Sequence, residues 1–351
     1  MHRFICMLLT LLLIFGTANA LAEDYFTFMP TREHAGVTYE ARNAKGLTTV
    51  LLIGFDHRVE GGMTLEQEDF IQGGQSDFLL LLVLDHDQKQ IRQLQIDRDT
   101  MTDVKFFSKK GVYYGARKLQ ICLAHSYGDT QEMNNHNTIW AVENLLGIGG
   151  EEDGAQIDWY LSMDITGIGH LNDLLGGVTV PIEDDFSHYD PTMVMGTTMT
   201  LTGSQARIYC QQRYYIGEQT NESRMIRQRN YMEAAIQQLK HQMKENPEFG
   251  LELLNGMGLL YDSSKDIDEG FGFTTTDYQE TPVEDTTHYL MTNKPLDTIA
   301  AMMARALDYE VLPLETLPGT HEVGLSGFME FRAEKDAGLE WALDALYRPL
   351  K

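Results

Sequence analysis

Positive charge is scarce in this chain: 27 lysines and arginines stand against 52 aspartates and glutamates in 351 residues, a formal charge of −25. A sequence-independent nucleic-acid binder neutralises phosphates with excess Lys and Arg, so that class is excluded and no nucleic acid is expected as a partner. Cysteine is scarcer still, with three residues, of which Cys6 falls in the N-terminal apolar run and Cys122 and Cys210 remain. Two thiols are too few for a disulfide framework, and buried free cysteines are expected. Apolar runs of membrane-spanning length are missing after the N-terminus. Also missing are the G-x-x-x-x-G-K-[ST] loop, a G-x-G-x-x-G after the first strand, H-E-x-x-H, C-x-x-C and G-x-S-x-G. Nucleotide-loop, zincin and elbow-hydrolase chemistries lose their support.

What the chain does have is a normal apolar content of 43% with 23% charged residues, enough for a real core and unlike a disordered chain. His2 and Arg3 precede the apolar run Phe4 to Gly16, and small residues follow from Thr17 to Ala22. This is the pattern of a secretory signal, with cleavage expected after Ala20 or Ala22. The run is shorter than the roughly 20 residues a bilayer crossing needs. An uncleaved membrane anchor is the alternative, and either places the remainder outside the cytoplasm, secreted or associated with the cell membrane. Residues 23–46 read as a polar lead-in, and residues 47–350 as the folded domain.

Thr48 to Ile53 and Phe78 to Leu84 read as buried strands, and Ile91 to Ile96 as a third that pairs with the second in a hairpin. Asn137 to Leu146 has helical spacing, with Asn137 as its cap and Gly147 as its stop. Ile157 to Met163 is the next strand; Asp164 caps a helix to Leu175, and Val178 to Val180 forms a short strand ahead of Pro181. Helices are expected over 204–212 and 222–244, the second with Asn221 at its N-cap and a stripe of Met225, Met232, Ile236, Leu239 and Met243 facing the core. A polar, acidic surface excursion follows from Asp262 to Thr287. Two further helices, 295–307 with Asn293 as its cap and 336–347, make the part beyond residue 245 a helical extension. Strands alternating with helices predict an α/β fold, an α-β-α layered domain with a central mixed sheet flanked by helices.

Charged residues cluster at the strand ends. Gly54 to Arg58 (GFDHR) follows the first strand, Gln75 to Asp77 (QSD) precedes the second, and Asp97 to Thr100 (DRDT) follows the third. Antiparallel neighbours bring the start of one strand to the finish of the next, so Asp56, Asp77 and Arg98 are expected on one rim of the sheet. Further on, Arg207, Arg213, Arg224, Arg227 and Arg229 lie close together in a chain otherwise poor in cations. Arg224, Arg227 and Gln228 fall in the first turns of a helix, whose free N–H groups favour an anion. Guanidinium pairs phosphate bidentately, and carboxylates tolerate a phosphate nearby when a cation lies between. Arginines for phosphate oxygens and two carboxylates for Mg²⁺ are the usual equipment of phosphoryl transfer. His57 and His125 are scattered without metal spacing and read as core or surface residues.

These motifs in this order resemble the LytR-CpsA-Psr family. The likeness rests on GFDHR, Ser76 and Asp77, Arg98 to Thr100, Lys118 and Leu119, Leu175 to Val178 (LGGV), Leu201 to Ala206 (LTGSQA) and Arg224 to Gln228 (RMIRQ). They span a motif core of residues 48–245. The resemblance implies an extracytoplasmic phosphotransferase that moves a glycopolymer, such as teichoic acid or capsular polysaccharide, from an undecaprenyl-pyrophosphate carrier to peptidoglycan, at a membrane surface and with Mg²⁺. It implies that Asp56 and Asp77 hold the metal. It also implies that Arg58, Arg98, Arg213, Arg224 and Arg227 neutralise the diphosphate, with Lys118 and Gln228 in support. The lipid tail would lie in an apolar slot between sheet and helices. Two positions depart from the family pattern: Gln211 stands where an arginine is usual, and Asn221 where an acid often precedes the R-x-x-R-Q helix. Residues 59–75 form a long insert, expected to cover the site.

The expected reaction is in-line attack by a wall-sugar hydroxyl on the phosphorus nearest the glycan, with lipid phosphate leaving. The stabilisation is electrostatic, and Asp99 orients Arg98 rather than acting as a base. Two other readings stay open: a non-catalytic polyprenyl-phosphate binder, favoured by Gln211 and Asn221, and a lipid-pyrophosphate hydrolase.

Overall fold

The computed structural model describes residues 30–42, 46–56, 74–108, 110–150, 154–261, 288–325 and 327–350. The N-terminal apolar run, Arg58 with most of the insert that follows it, and the acidic stretch 262–287 lie outside the described residues. Among the described residues no helix is long and apolar enough to cross a membrane.

The end of the lead-in forms a hairpin, β1 (Thr31–His34) with β2 (Val37–Ala41). Its side chains are mostly half-exposed, which leaves little apolar alternation for a sequence to show. Then come the three strands read from the sequence, β3 (Leu47–Phe55), β4 (Ser76–Asp85) and β5 (Gln90–Ile96). β4 is antiparallel to both of its neighbours, so β3 and β5 point the same way. β4 is an unbroken apolar run because both of its faces are covered. Leu79, Leu81 and Val83 enter one core, while Leu82 and Leu84 face the other side of the sheet.

Beyond β5, β6 (Met101–Phe107) and β7 (Tyr113–Gln120) form a separate hairpin, and a 3₁₀ helix follows at Ile121–Ser126. The central sheet is completed by β8 (Trp159–Asp164), β11 (Leu259–Tyr261), β12 (Leu290–Thr292) and β13 (Glu310–Thr316). Its order is β11-β12-β8-β3-β4-β5-β13, with β8 parallel to β3 and β13 parallel to β5. On one face lie α1 (Gln131–Leu146) and α7 (Ala337–Leu346), which bring Val142, Leu146, Trp341 and Leu346 into the first core. The other face is covered by α2 (Gly167–Leu174), α3 (Gly203–Gln211), α4 (Asn221–Glu245), α5 (Phe249–Gly256) and α6 (Leu296–Arg305), around Tyr209, Tyr231, Leu253 and Ile299. This is the α-β-α layering with a mixed central sheet that the alternation of elements predicted.

Several local expectations are corrected. α1 starts six residues before Asn137, where Thr130 accepts from the Met133 N–H as its cap. Asn137 is buried inside the helix and donates to the Lys105 and Ala124 carbonyls at 3.0 and 2.7 Å. Gly147 does end α1, in the left-handed conformation at φ 63° that glycine accepts without strain. Thr220, not Asn221, caps α4, through the Ser223 N–H. Pro295 begins α6, while Asn293 accepts from the Tyr160 N–H at 3.0 Å. Asp164 accepts from the Thr166 N–H at 2.7 Å in the turn ahead of α2, and Thr166 stands at the cap position.

The short strand expected at 178–180 is β9 (Thr179–Ile182), which runs through Pro181 and pairs only with β10 (Thr197–Thr200). A two-stranded ribbon tolerates the missing proline N–H. The part beyond residue 245 is mixed, not helical. It supplies β11, β12 and β13 to the sheet, a hairpin of β14 (Gly319–Val323) with β15 (Met329–Ala333), and β16 (Tyr347–Pro349) beside β2.

Candidate functional site

The site is assembled where β3 and β5 finish and β4 starts. The Asp56 N–H donates to the Gln75 carbonyl at 3.1 Å, and the Gln75 N–H returns to Asp56 Oδ1 at 2.7 Å. This clasp requires glycine at position 74, since a Cβ there would stand 1.4 Å from the Asp56 carbonyl oxygen. From the far side of the clasp, buried His125 bonds the Gly74 carbonyl at 3.0 Å and stacks on Phe55 with ring centroids 4.5 Å apart. Burial holds the His125 imidazole down to about 4, so it is neutral scaffolding, in agreement with its reading as a core residue.

Arg98 leaves the end of β5 and reaches across the rim. It donates to Asp77 Oδ1 and to Gln75 Oε1, and at 3.4 Å to the Cys122 sulfur. Burial pushes the Cys122 thiol up to about 11, so it packs as a neutral group. Asp99 lies 3.7 Å from Arg98 Nε and accepts from Gln120 at 2.9 Å. Burial and the neighbouring Asp97 push the Asp99 carboxyl above its usual range.

α4 supplies the second arm. Arg224 donates to Asp77 Oδ2 at 3.0 Å and to Asn221 Oδ1 at 2.7 Å, so one carboxylate joins Arg98 from the sheet to Arg224 from the helix. The Arg224 guanidinium is brought down to about 10 by burial and by the nearby Arg98 and Arg213. Two atoms on this face of α4 are buried without a hydrogen bond among the described residues, Arg224 Nε and Gln228 Oε1. They stand four residues apart on one helix face, a donor beside an acceptor. The amide of Gln228 meanwhile donates to the Cys210 carbonyl at 3.2 Å.

The polar stripe of α4 is buried. Arg224, Arg227, Gln228 and Tyr231 are buried, while Met225 and Met232 are only half-buried. Both stripes reach the interior: Arg224, Gln228 and Tyr231 are buried on one, while on the other Met243 is buried and Leu239 packs against the core.

The other candidates are placed as follows. Arg213 is half-buried, close enough to depress Arg224, with its guanidinium 4.9 Å from the Tyr214 ring centre. Gln211 ends α3, half-buried, and no hydrogen bond joins it to the network among the described residues. Lys118 is exposed on β7 opposite Asp103, on a hairpin that the sequence reading did not include. Arg227 is buried and fully engaged. It donates to the Tyr209 and Gln212 carbonyls at 3.1 and 2.5 Å and to Asp184 at 2.9 Å. An arginine so bound closes the α3–α4 junction. Arg227→Ala is expected to lower the unfolding free energy by roughly 2–3 kcal/mol, because it strands two carbonyls and a carboxylate. Denaturant titration checks this; a residue that only met substrate would leave the midpoint unchanged.

Sequence reasoning missed Gln75 and Gly74 as site-builders, the shared use of Asp97, and His321. The Asp97 carboxylate accepts from the Asp99 N–H at 2.8 Å, from the Asn221 amide at 3.0 Å and from His321 Nε2 at 2.8 Å. No local pattern announces His321, which comes from β14.

The fold and this rim define an α-β-α domain with interlocked carboxylates and guanidiniums suited to a phosphate-bearing anion. The chain belongs to the LytR_cpsA_psr family, whose model matches residues 14–247. It is 27% identical over 233 residues to the polyisoprenyl-teichoic acid–peptidoglycan teichoic acid transferase TagU of Halalkalibacterium halodurans, covering 64% of this chain and 70% of that protein. It is 24% identical over 211 residues to the cell wall biosynthesis protein LcpA of Corynebacterium glutamicum, covering 56% of this chain but 40% of that one. The crystal structure of Bacillus subtilis TagT shares the fold, with a TM-score of 0.54 at 17% identity over 90% of this chain and 95% of that one.

Proposed function

We infer that the chain is a cell-wall glycopolymer transferase, moving a polymer from an undecaprenyl-pyrophosphate carrier to peptidoglycan outside the cytoplasm. Family membership and the likeness to TagU support this reading. The observation that carries it is the bridge through Asp77, which fixes Arg98 and Arg224 side by side. Donors fixed before the substrate arrives need no reorganisation when charge grows on the bridging oxygen of the diphosphate. Arg213 adds a more exposed cation. The N-terminal apolar segment would deliver the domain to the membrane surface, as signal or as anchor.

The proposed reaction also includes a divalent cation. Asp77 pairs with Arg98 and Arg224, Asp99 lies beside Arg98, and Asp56 is tied to Gln75 on the same rim. Asp56 and Asp77 offer hard oxygens with lone pairs to spare, and Mg²⁺ takes one or two protein carboxylates and completes its shell with phosphate oxygens and water. Bound there, it would neutralise charge on the transferring phosphate. Full-length protein, a lipid-pyrophosphate glycan and peptidoglycan are expected to give polymer-linked wall and free lipid phosphate. EDTA should suppress this on the order of 100-fold or more, with recovery on added Mg²⁺. Retained lipid without turnover would make the protein a binder, and glycan phosphate released to water would make it a hydrolase.

A further inference from the structure

The β14–β15 hairpin lies beyond the stretch matched by the family model, yet it is bonded to the site at three points. The Phe331 N–H donates to the Asp99 carbonyl at 2.8 Å, and Gln120 donates both to the Met329 carbonyl at 2.7 Å and to the Asp99 carboxylate at 2.9 Å. The third point is His321 Nε2 on Asp97 Oδ2 at 2.8 Å. Through Asp97 the imidazole is joined to Asn221, and through Asn221 to Arg224.

The proton positions follow from the partners. Asp97 accepts from an amide N–H and from the Asn221 side chain, and a carboxylate only accepts, so the histidine nitrogen facing it carries hydrogen. In the neutral ring the lone pair is then on Nδ1, which has no hydrogen-bond partner among the described residues. The His321 side chain is 36% exposed, so water and ligands reach it. A carboxylate that orients an imidazole while the opposite nitrogen stays open is the arrangement of a general base. The charged groups on its inner side are Asp97 and Asp99, while Phe331 packs its ring 4.9 Å from the imidazole. Glu322, Glu330 and Arg332 stand on the opposite face of the hairpin by strand alternation, and Arg332 bridges the two glutamates.

We propose that the Asp97–His321 pair takes the proton from the acceptor hydroxyl during transfer. The proposal rests on the transferase reading above. The hydroxyl proton moves to His321 Nδ1 as the oxygen forms a bond to the phosphorus nearest the glycan. The bond from that phosphorus to the bridging oxygen breaks, and its electron pair leaves with the lipid phosphate. The imidazolium then returns its proton to the lipid phosphate or to water. This assigns the C-terminal hairpin to the reaction and leaves Asn221 as a neutral spacer. An acid at that position would set a second carboxylate against Asp97.

The test is kinetic, on full-length protein with a lipid-pyrophosphate glycan and Mg²⁺. His321→Gln keeps a donor for Asp97 and removes the base. It is expected to lower kcat by about 10²- to 10⁴-fold, with KM for the lipid substrate within about twofold. In His321→Ala, free imidazole should restore part of the rate. Wild-type kcat in His321→Gln would overturn the proposal, as would parallel losses of kcat, lipid affinity and thermal stability with no imidazole rescue. A wild-type protein that binds the lipid and forms no product would overturn the transferase reading, and this proposal with it.

Discussion

Asp77→Ala is expected to abolish transfer and to lower the unfolding free energy by about 3–5 kcal/mol, the cost of leaving buried charges without their counterion. Asp77 is 10% exposed and holds Arg98 with one oxygen and Arg224 with the other. Without it two guanidiniums would repel across the rim, and the buried Arg224, already brought down to about 10, would lose its carboxylate partner. Asp77→Asn keeps the shape but accepts through one oxygen only, and an intermediate loss is expected. Urea titration and the transfer assay read the two effects separately. An alanine variant of wild-type stability would mean that the bridge does not form.

Arg98→Ala is expected to reduce transfer by roughly 10³-fold or more while costing only about 1–2 kcal/mol of stability. The asymmetry comes from placement. Arg98 is 18% exposed at the rim, so water can reach the groups it leaves, and Asp77 keeps Arg224 as its partner. Arg98→Lys should recover little, because one ammonium cannot span Asp77, Gln75 and the Cys122 sulfur together. Near-normal transfer by the alanine variant would remove Arg98 from the reaction.

The central strands were legible because β3 and β4 are buried on both faces and bounded by charged loops. From them the convergence of Asp56, Asp77 and Arg98 followed by strand direction alone. The helix caps were not legible. Thr130 and Thr220 stand beside residues with equal capping chemistry, and the choice was made by where Asn137 and Asn221 are needed in three dimensions. Arg224 and Arg227 look equivalent on α4. Only packing shows that Arg224 joins the carboxylate bridge while Arg227 secures backbone carbonyls. β7 and the β14–β15 hairpin have many exposed positions, so their strands were not legible; Lys118 was reached only through the family motif, and His321 not at all. The contact of His321 with Asp97 joins residues 224 positions apart, a separation no local pattern spans.

The clasp between Asp56 and Gln75 has a corollary for chain length. One bond joins the Asp56 N–H to the Gln75 carbonyl and a second runs from the Gln75 N–H to the Asp56 carboxylate, so what joins these two residues is grafted on a closed stem. Lengthening such a graft costs little loop entropy, which grows only slowly with size. Changes of length in this segment are therefore expected to leave the two carboxylates at its base in place.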